Sequence, residues 1–345
     1  MKRALLIGGA GFIGHHLALA LQSKGYDVHI IDGLEVNNLV SLQDSRFKFA
    51  NREFYIQVLE ERLTLLRSAS IPLYVEDARD YQRLNKVMNE LQPDVVFLLA
   101  AVAHASRANK DPYSTFDHSF RTLENTLDIL RSLHNPCQLV FFSSSMVYGD
   151  FFGKTPAEDT HCDPRNIYGA LKLGGEKLAL AYSNVFGFPV TIVRPSALYG
   201  PRCISRRVLQ IFIENALRNK DLVIQGDGQE SLDFTYIDDL VSGLVSLTLN
   251  PIAYGEVFNM TRGQSQSLLT AAKIVQEHFP KIGIKHEPRD LLNPERGSLS
   301  IEKASDKLFY KPTHDLILGL DKYITWYRDV WKINDNANFP SEGNE

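Results

Sequence analysis

Apolar residues in this chain fall into two patterns. Short continuous runs, "ALLI", "DVHIID", "PDVVFLLAAVAH", "CQLVFFSSSMVYG" and "FPVTIVRPSALYG", carry almost no internal polar position. That is the signature of strands covered on both faces of a parallel sheet. Between them lie helical stretches, such as "STFDHSFRTLENTLDILRSLH" and the segment that begins near Asn166. The opening stretch "RALLIGGAGFIGHHLALALQSKGYDVHIIDG" reads strand, glycine turn, helix, strand. Strand–helix alternation predicts an α/β fold, a Rossmann-type doubly wound parallel sheet.

The alternation is interrupted over 36–72, a stretch too long for an ordinary connection, which predicts an insertion with its own helix, "REFYIQVLEERLTLLRSA". After about residue 200 the pattern loosens and Pro and Gly rise. The expected organisation is therefore a dinucleotide-binding domain over 1–200 and a smaller, C-terminal lobe mainly over 201–333. That lobe would sit above the carboxyl edge of the sheet, where doubly wound folds bind ligands. The polar end, 334–345, reads as a frayed tail.

Composition changes this picture little. With 345 residues, 44% hydrophobic and 23% charged, the chain can bury a large core, and a net charge of −4 gives no reason to expect nucleic acid as a partner. No apolar run reaches the roughly 20 residues of a membrane span. Three widely spaced cysteines, Cys137, Cys162 and Cys203, lack metal-ligand spacing and suit a reducing cytoplasm. No metal site is expected.

The candidate chemistry lies at strand ends. In "GGAGFIG", Gly8, Gly11 and Gly14 stand between a strand and a helix, where a pyrophosphate would rest on the helix N-terminus. Asp32 ends the second strand, placed to accept hydrogen bonds from the adenosine ribose and to repel a 2′-phosphate; NAD is favoured over NADP. Asp77 would either reach the adenine edge or cap a helix starting near Ala78. The serines of "FFSSSMVYG" end a buried strand, and could bind a substrate oxygen or merely cap a turn. In "NIYGALK", Tyr168 and Lys172 are four apart on one helical face, either a proton-transfer pair or two residues on a solvated surface.

These features occur in one order, and with "FLLAA", "VRPSALYGP", "GDGQESLDFTYIDDL" and "FNM" they resemble the extended short-chain dehydrogenase/reductases. Within that group the chain is similar to the NAD-dependent nucleotide-sugar epimerase/dehydratase family, in particular its UDP-glucose 4-epimerase-like members. The resemblance implies that Ser144 is the catalytic Ser/Thr, Tyr168 the general base, and Lys172 the residue that binds the nicotinamide ribose and lowers the tyrosine pKa. NAD would lie against Gly8, Gly11, Phe12, Ile13, Gly14, Asp32, Asp77, Ala78, Leu99, Ala100, Ala101, Ala103, Tyr168, Lys172 and Pro195. A homodimer through the helices near 115–133 and 168–186 is implied as well.

Departures from the family narrow the reaction. Dehydratases commonly carry Thr-Asp-Glu where this chain has Ser144, Ser145 and Met146, and 3,5-epimerases have a cysteine at the Met146 position. Neither Ser145 nor Met146 supplies acid–base chemistry at a carbon acid. Ser119 and Ala197 stand where relatives often have asparagine, and Leu232 where they have arginine, so two expected diphosphate contacts are missing. Arg202, Arg206, Arg207 and Arg296 are the candidates to replace them, with a solvated basic loop as the alternative for the first three; Ser144 and Ser145 complete the expected substrate set. The implied function is oxidation of a sugar C4 hydroxyl of a nucleoside-diphosphate sugar, by a 4-epimerase. The alternatives are a 4-dehydrogenase that releases a keto sugar, and a non-catalytic NAD-binding regulator.

Overall fold

A computed structural model of the chain describes residues 1–36, 38–43, 51–102, 105–288 and 294–335. The apolar runs become β1 (Arg3–Ile7), β2 (Asp27–Ile31), β3 (Leu73–Tyr74), β4 (Val95–Leu98), β5 (Gln138–Phe142) and β6 (Val190–Arg194). β4, β5 and β6 are buried at every position, because helices cover both faces of the sheet. With a late strand, Val257–Asn259, they form one seven-stranded sheet ordered Val257–Asn259, β6, β5, β4, β1, β2, β3. Its pairings are all parallel. The chain runs outward from β1 through β2 to β3, then returns to the other side of β1 as β4. A crevice must open where the winding reverses, at the carboxyl ends of β1 and β4.

α1 (Phe12–Ser23) follows the glycine turn, and the helix Ile237–Leu247 packs against it. The sheet thus draws a strand and a covering helix from beyond residue 200. The insertion helix spans Arg52–Ser68. It is fastened to the smaller lobe through the buried carboxylate of Glu214, which accepts from Asn51, from Tyr55 Oη at 2.9 Å, from Gln210 at 2.7 Å and from Tyr327 Oη at 2.9 Å. The smaller lobe itself is built from short paired strands, Ala197–Tyr199 with Phe234–Tyr236 and Leu222–Gln225 with Ile284–Glu287, and from helices such as Val208–Leu217. The described part of the expected tail, residues 334–335, lies in the final helix, Leu316–Asp335; residues 336–345 are outside the described residues.

Two helices differ from the sequence reading. The helix expected near Ala78 starts at Tyr81, because Asp80 is the cap and accepts from the amides of Gln82 and Arg83 at 3.0 and 3.1 Å. The long helix after β4 is not continuous. It comprises Pro112–Phe116, a π-turn at Asp117–Arg121 and Thr122–Leu130. Such wide turns often mark functional positions, and this one brings His118 and Ser119 to the crevice: His118 lines it, and Ser119 Oγ accepts from the amide of Val102, just beyond β4, at 3.3 Å.

Candidate active site

Two adjoining cavities occupy the crevice. The first is lined by Gly8, Gly11, Phe12, Ile13, Gly14, Asp32, Asp77, Ala78, Leu99, Ala100 and Ala101, eleven of the residues singled out for the cofactor. Ala103 lies outside the described residues. The second, about 660 Å³, is lined by Ser144, Ser145, Tyr168, Lys172, Pro195, Arg206, Arg207 and Arg296. Ile13, Leu99, Ala101, Leu198 and Arg207 border both, so a ligand in one can meet a ligand in the other.

The first cavity fits a dinucleotide. Gly8 takes φ +83°, and a Cβ there would stand 2.6 Å from the amide nitrogen of Ala100; a Cβ on Gly14 would press to 2.5 Å on the Gly9 backbone. Only glycine lets the turn pass this close to β4 and lets α1 rise directly from it. α1 begins at Gly11 with no side chain capping it and no acid in its first turn, which leaves its amides for an anion. Asp32 is held in place by the amides of Ala10 and Leu34, at 2.9 and 2.8 Å, one on each oxygen. Each oxygen keeps a lone pair for a ribose hydroxyl. Burial pushes the Asp32 carboxyl up, and those two amides favour the ionised form.

Asp77 borders the same cavity without capping a helix. Arg79 clamps it, with Nε at 2.9 Å and Nη2 at 2.7 Å from Oδ2. Burial works against its charge, but the hydrogen bonds from Arg79 hold its carboxyl below the usual range. Arg79 also pairs with Glu35 and Asp117, both at 2.9 Å, and so fastens the loop after β2 to the π-turn at the adenine end.

In the second cavity β5 ends on the serines. Ser144 accepts from the amide of Met146 at 3.2 Å and starts a tight turn, Ser145–Tyr148. The helix that carries the Tyr-Lys pair, Ile167–Phe186, is capped by Asn166 Oδ1, which accepts from the amide of Gly169 at 2.9 Å. Its first turns carry Tyr168 and Lys172 past the strand end. Burial pushes the Tyr168 phenol above its ordinary value; Arg207, a hydrogen bond from Ser144, and Arg296 pull it back. Lys172, to which the resemblance assigned that pull, is not among these causes. Lys172 Nζ donates to the carbonyl of Phe142 at 2.6 Å and stands 5.9 Å from the Tyr168 ring centre. A strand-end carbonyl captures the ammonium, and burial draws it down to about 8 against the pull of Glu176.

The arginines divide. Arg206, Arg207 and Arg296 reach the second cavity. Arg296 Nη2 donates to Ser145 Oγ and to Ser196 Oγ, both at 2.7 Å, and burial draws the guanidinium down to about 10. Arg202 is turned elsewhere. Its guanidinium meets Glu61 at 3.0 Å and donates to His15 Nε2 at 2.9 Å. His15, kept neutral by burial, therefore carries its proton on Nδ1 and donates to the carbonyl of Gly11 at 2.9 Å. Arg202 supports the glycine turn from behind instead of facing a substrate phosphate. Ala197 and Leu232, the two apolar replacements, line the second cavity as expected.

Four contributors were missed in the sequence. Ser196 stands within the quoted "VRPSALYGP", and accepts from Ser145 Oγ at 3.4 Å across two strand ends. Glu176 and Arg194 form a buried ion pair with Nε–Oε1 at 2.9 Å and Nη2–Oε2 at 2.7 Å. Ser143 also donates to Glu176, and Arg194 donates to Tyr148 Oη at 2.8 Å, so β5, β6 and the Tyr-Lys helix are locked together. Arg62, from the insertion, enters the first cavity. Only the one-turn spacing of Glu176 from Lys172 could have signalled any of them.

Comparison with known proteins agrees with this geometry. The model of the NAD dependent epimerase/dehydratase family matches residues 4–260. An uncharacterised UDP-glucose epimerase of Bacillus subtilis, YtcB, is 31% identical over 96% of this chain and 99% of its own length. UDP-glucuronate 4-epimerase 1 of Arabidopsis thaliana is 29% identical over 96% of this chain and 78% of its own. The crystal structure of UDP-glucuronic acid 4-epimerase from Bacillus cereus, in complex with UDP-glucuronic acid and NAD, superposes with a TM-score of 0.83 at 27% identity, covering 95% of this chain and 100% of that one. On its glycine-turn cavity, its strand-end serines, its Tyr-Lys helix and these matches, the chain belongs to the NAD-dependent epimerase/dehydratase family.

Proposed function

We propose that this protein is a 4-epimerase of nucleoside-diphosphate sugars that works in the cytoplasm. The observation that carries the reading is the convergence of Ser144, Tyr168 and Lys172 on one wall of the larger cavity, where it adjoins the glycine-turn cavity. NAD, when bound, supplies the acceptor and later the donor of a hydride. Tyr168 takes the proton of the sugar hydroxyl as that hydride leaves the carbon, and returns it in the reverse step. Ser144 holds the reacting oxygen. Lys172, anchored on Phe142, is placed to hold the nicotinamide ribose, while the positive charges of Arg207 and Arg296 favour the Tyr168 phenolate. A cavity of about 660 Å³ leaves a keto sugar room to turn its other face before reduction. Ser145 and Met146 offer no acid–base pair for elimination, which favours epimerisation over dehydration.

Arg207 and Arg296 are the cations for the substrate diphosphate, since a planar guanidinium binds two phosphate oxygens at once. Incubation with a panel of UDP-sugars and other nucleoside-diphosphate sugars should give the C4 epimer without accumulation of NADH. Steady NADH release would make the protein a dehydrogenase, and no turnover on any member would favour the regulatory reading. With the true substrate, Arg207→Ala or Arg296→Ala should raise KM at least about tenfold, roughly 1.4 kcal/mol. If neither does, the diphosphate is held elsewhere.

The cytoplasmic reading rests on three unpaired cysteines. A homodimer is part of the proposal, supported by exposed apolar side chains on the two helical segments expected to pair: Phe116 on one, Val185 and Phe186 on the other. Light scattering should find two chains, and Val185→Glu should shift the protein to one.

A further inference from the structure

Arg62 is the largest fully buried side chain among the described residues, 1% exposed. Among the described residues it forms no ion pair with a carboxylate. Nε donates to the carbonyl of Arg202 at 3.0 Å, and Nη2 donates to the same oxygen. Arg202 takes φ +64°, an uncommon backbone for arginine, as its carbonyl receives this bond. Both of these bonds go to one neutral carbonyl oxygen. Burial draws the guanidinium down to about 10; Cys203 and Asp32 oppose this, and Arg202 adds to it. A buried charge left in this state costs several kcal/mol. A chain that retains such a group has a counter-charge for it at some stage of its working cycle.

The surroundings say where that charge belongs. Arg62 lines the first cavity together with Gly11, Phe12, Gly14 and Asp32. Its charge is felt by His15 and His16 in the opening turns of α1. The same end of α1 has free amides and neither an acid nor a capping side chain. A dinucleotide places two negative charges at such a helix start.

We propose that Arg62, delivered by the insertion helix, binds the pyrophosphate of NAD and completes the cradle begun by the glycine turn. The insertion is then part of the cofactor site. Its hold on the smaller lobe through Glu214 and on the Arg202 loop makes NAD binding dependent on the assembly of all three segments. This inference rests on the assignment of the cavity to NAD.

The test is calorimetric titration of the full-length protein, depleted of nucleotide, with NAD, ADP-ribose, NADP and adenosine. Wild type is compared with Arg62→Met and Arg62→Lys. Arg62→Met should weaken NAD and ADP-ribose at least tenfold each and leave adenosine within twofold. Arg62→Lys should recover part of the loss, because the charge returns without the fork. The rise in melting temperature produced by NAD should shrink in Arg62→Met by the corresponding amount, whatever the melting temperature of the free variant. The proposal is overturned if Arg62→Met binds NAD within threefold of wild type. It is also overturned if only NADP is weakened, which would place Arg62 at a 2′-phosphate. A lower melting temperature for the free variant with an undiminished NAD-induced rise would show a tie between segments and nothing more. Failure of wild type to bind NAD would instead remove the cofactor assignment on which the inference stands.

Discussion

Replacing Tyr168 by phenylalanine should cut turnover at least about 100-fold while NAD binding stays close to that of wild type, since a positioned acid–base group commonly contributes 10²–10⁴. The ring still fills its place on the catalytic helix; only the proton acceptor is lost. The pH dependence should change with it. Burial raises the phenol above its ordinary value in the free protein, and Arg207, Ser144 and Arg296 oppose that rise. The phenolate is the active form, so wild-type kcat/KM should climb as pH increases. The phenylalanine variant should lose this alkaline climb. Arg207→Ala, by contrast, should keep the climb and move it to higher pH, because the largest opposing charge has gone. Turnover of Tyr168→Phe within a few-fold of wild type, or an unchanged pH profile, would remove Tyr168 from proton transfer.

A comparably large effect is expected far from any ligand. Arg194→Met should destabilise the protein by about 3–5 kcal/mol, the usual consequence of leaving one member of a buried ion pair alone. Arg194 and Glu176 are 5% and 2% exposed at the side chain, and Glu176 would keep only the hydroxyl of Ser143. Glu176 is one helical turn beyond Lys172, and Ser143 precedes Ser144 in the chain. Loss of the pair should therefore lower kcat as well, by loosening the helix against the strand end. The double variant Arg194→Met, Glu176→Leu should regain most of the stability, since an apolar pair of similar volume avoids the desolvation cost. Chemical denaturation of the three proteins checks this. A single variant within about 1 kcal/mol of wild type would mean that water or another cation reaches Glu176.

The sheet, the glycine turn and the Tyr168–Lys172 spacing were legible because their signals are local. Uninterrupted apolar runs specify strands buried on both faces, the Gly8–Gly14 spacing specifies a turn that only glycine can make, and a four-residue interval places Tyr168 and Lys172 on one side of a helix. Each follows from the geometry of a few consecutive residues. The counter-charges were not legible, because they depend on which distant segments meet. Arg202 and Arg207 are near neighbours on one loop, yet one turns back to Glu61 and His15 while the other enters the cavity. Asp77 could be a cap or a ligand until the fold placed Arg79 around it and gave the cap to Asp80. Lys172 looked like the partner of Tyr168 by spacing, but the carbonyl of Phe142, on a strand formed thirty residues earlier, holds its ammonium. Nothing in the sequence singled out Arg62; the packing of the insertion helix over α1 and the Arg202 loop buries it. The sequence alone determined the sheet and the glycine turn and put Tyr168 and Lys172 on one side of a helix, since short-range periodicity encodes these, while the roles of the two residues came from the family resemblance. Tertiary packing decided which charges face the ligands and which hold the fold, because a buried charge is defined by neighbours that lie far away in the chain.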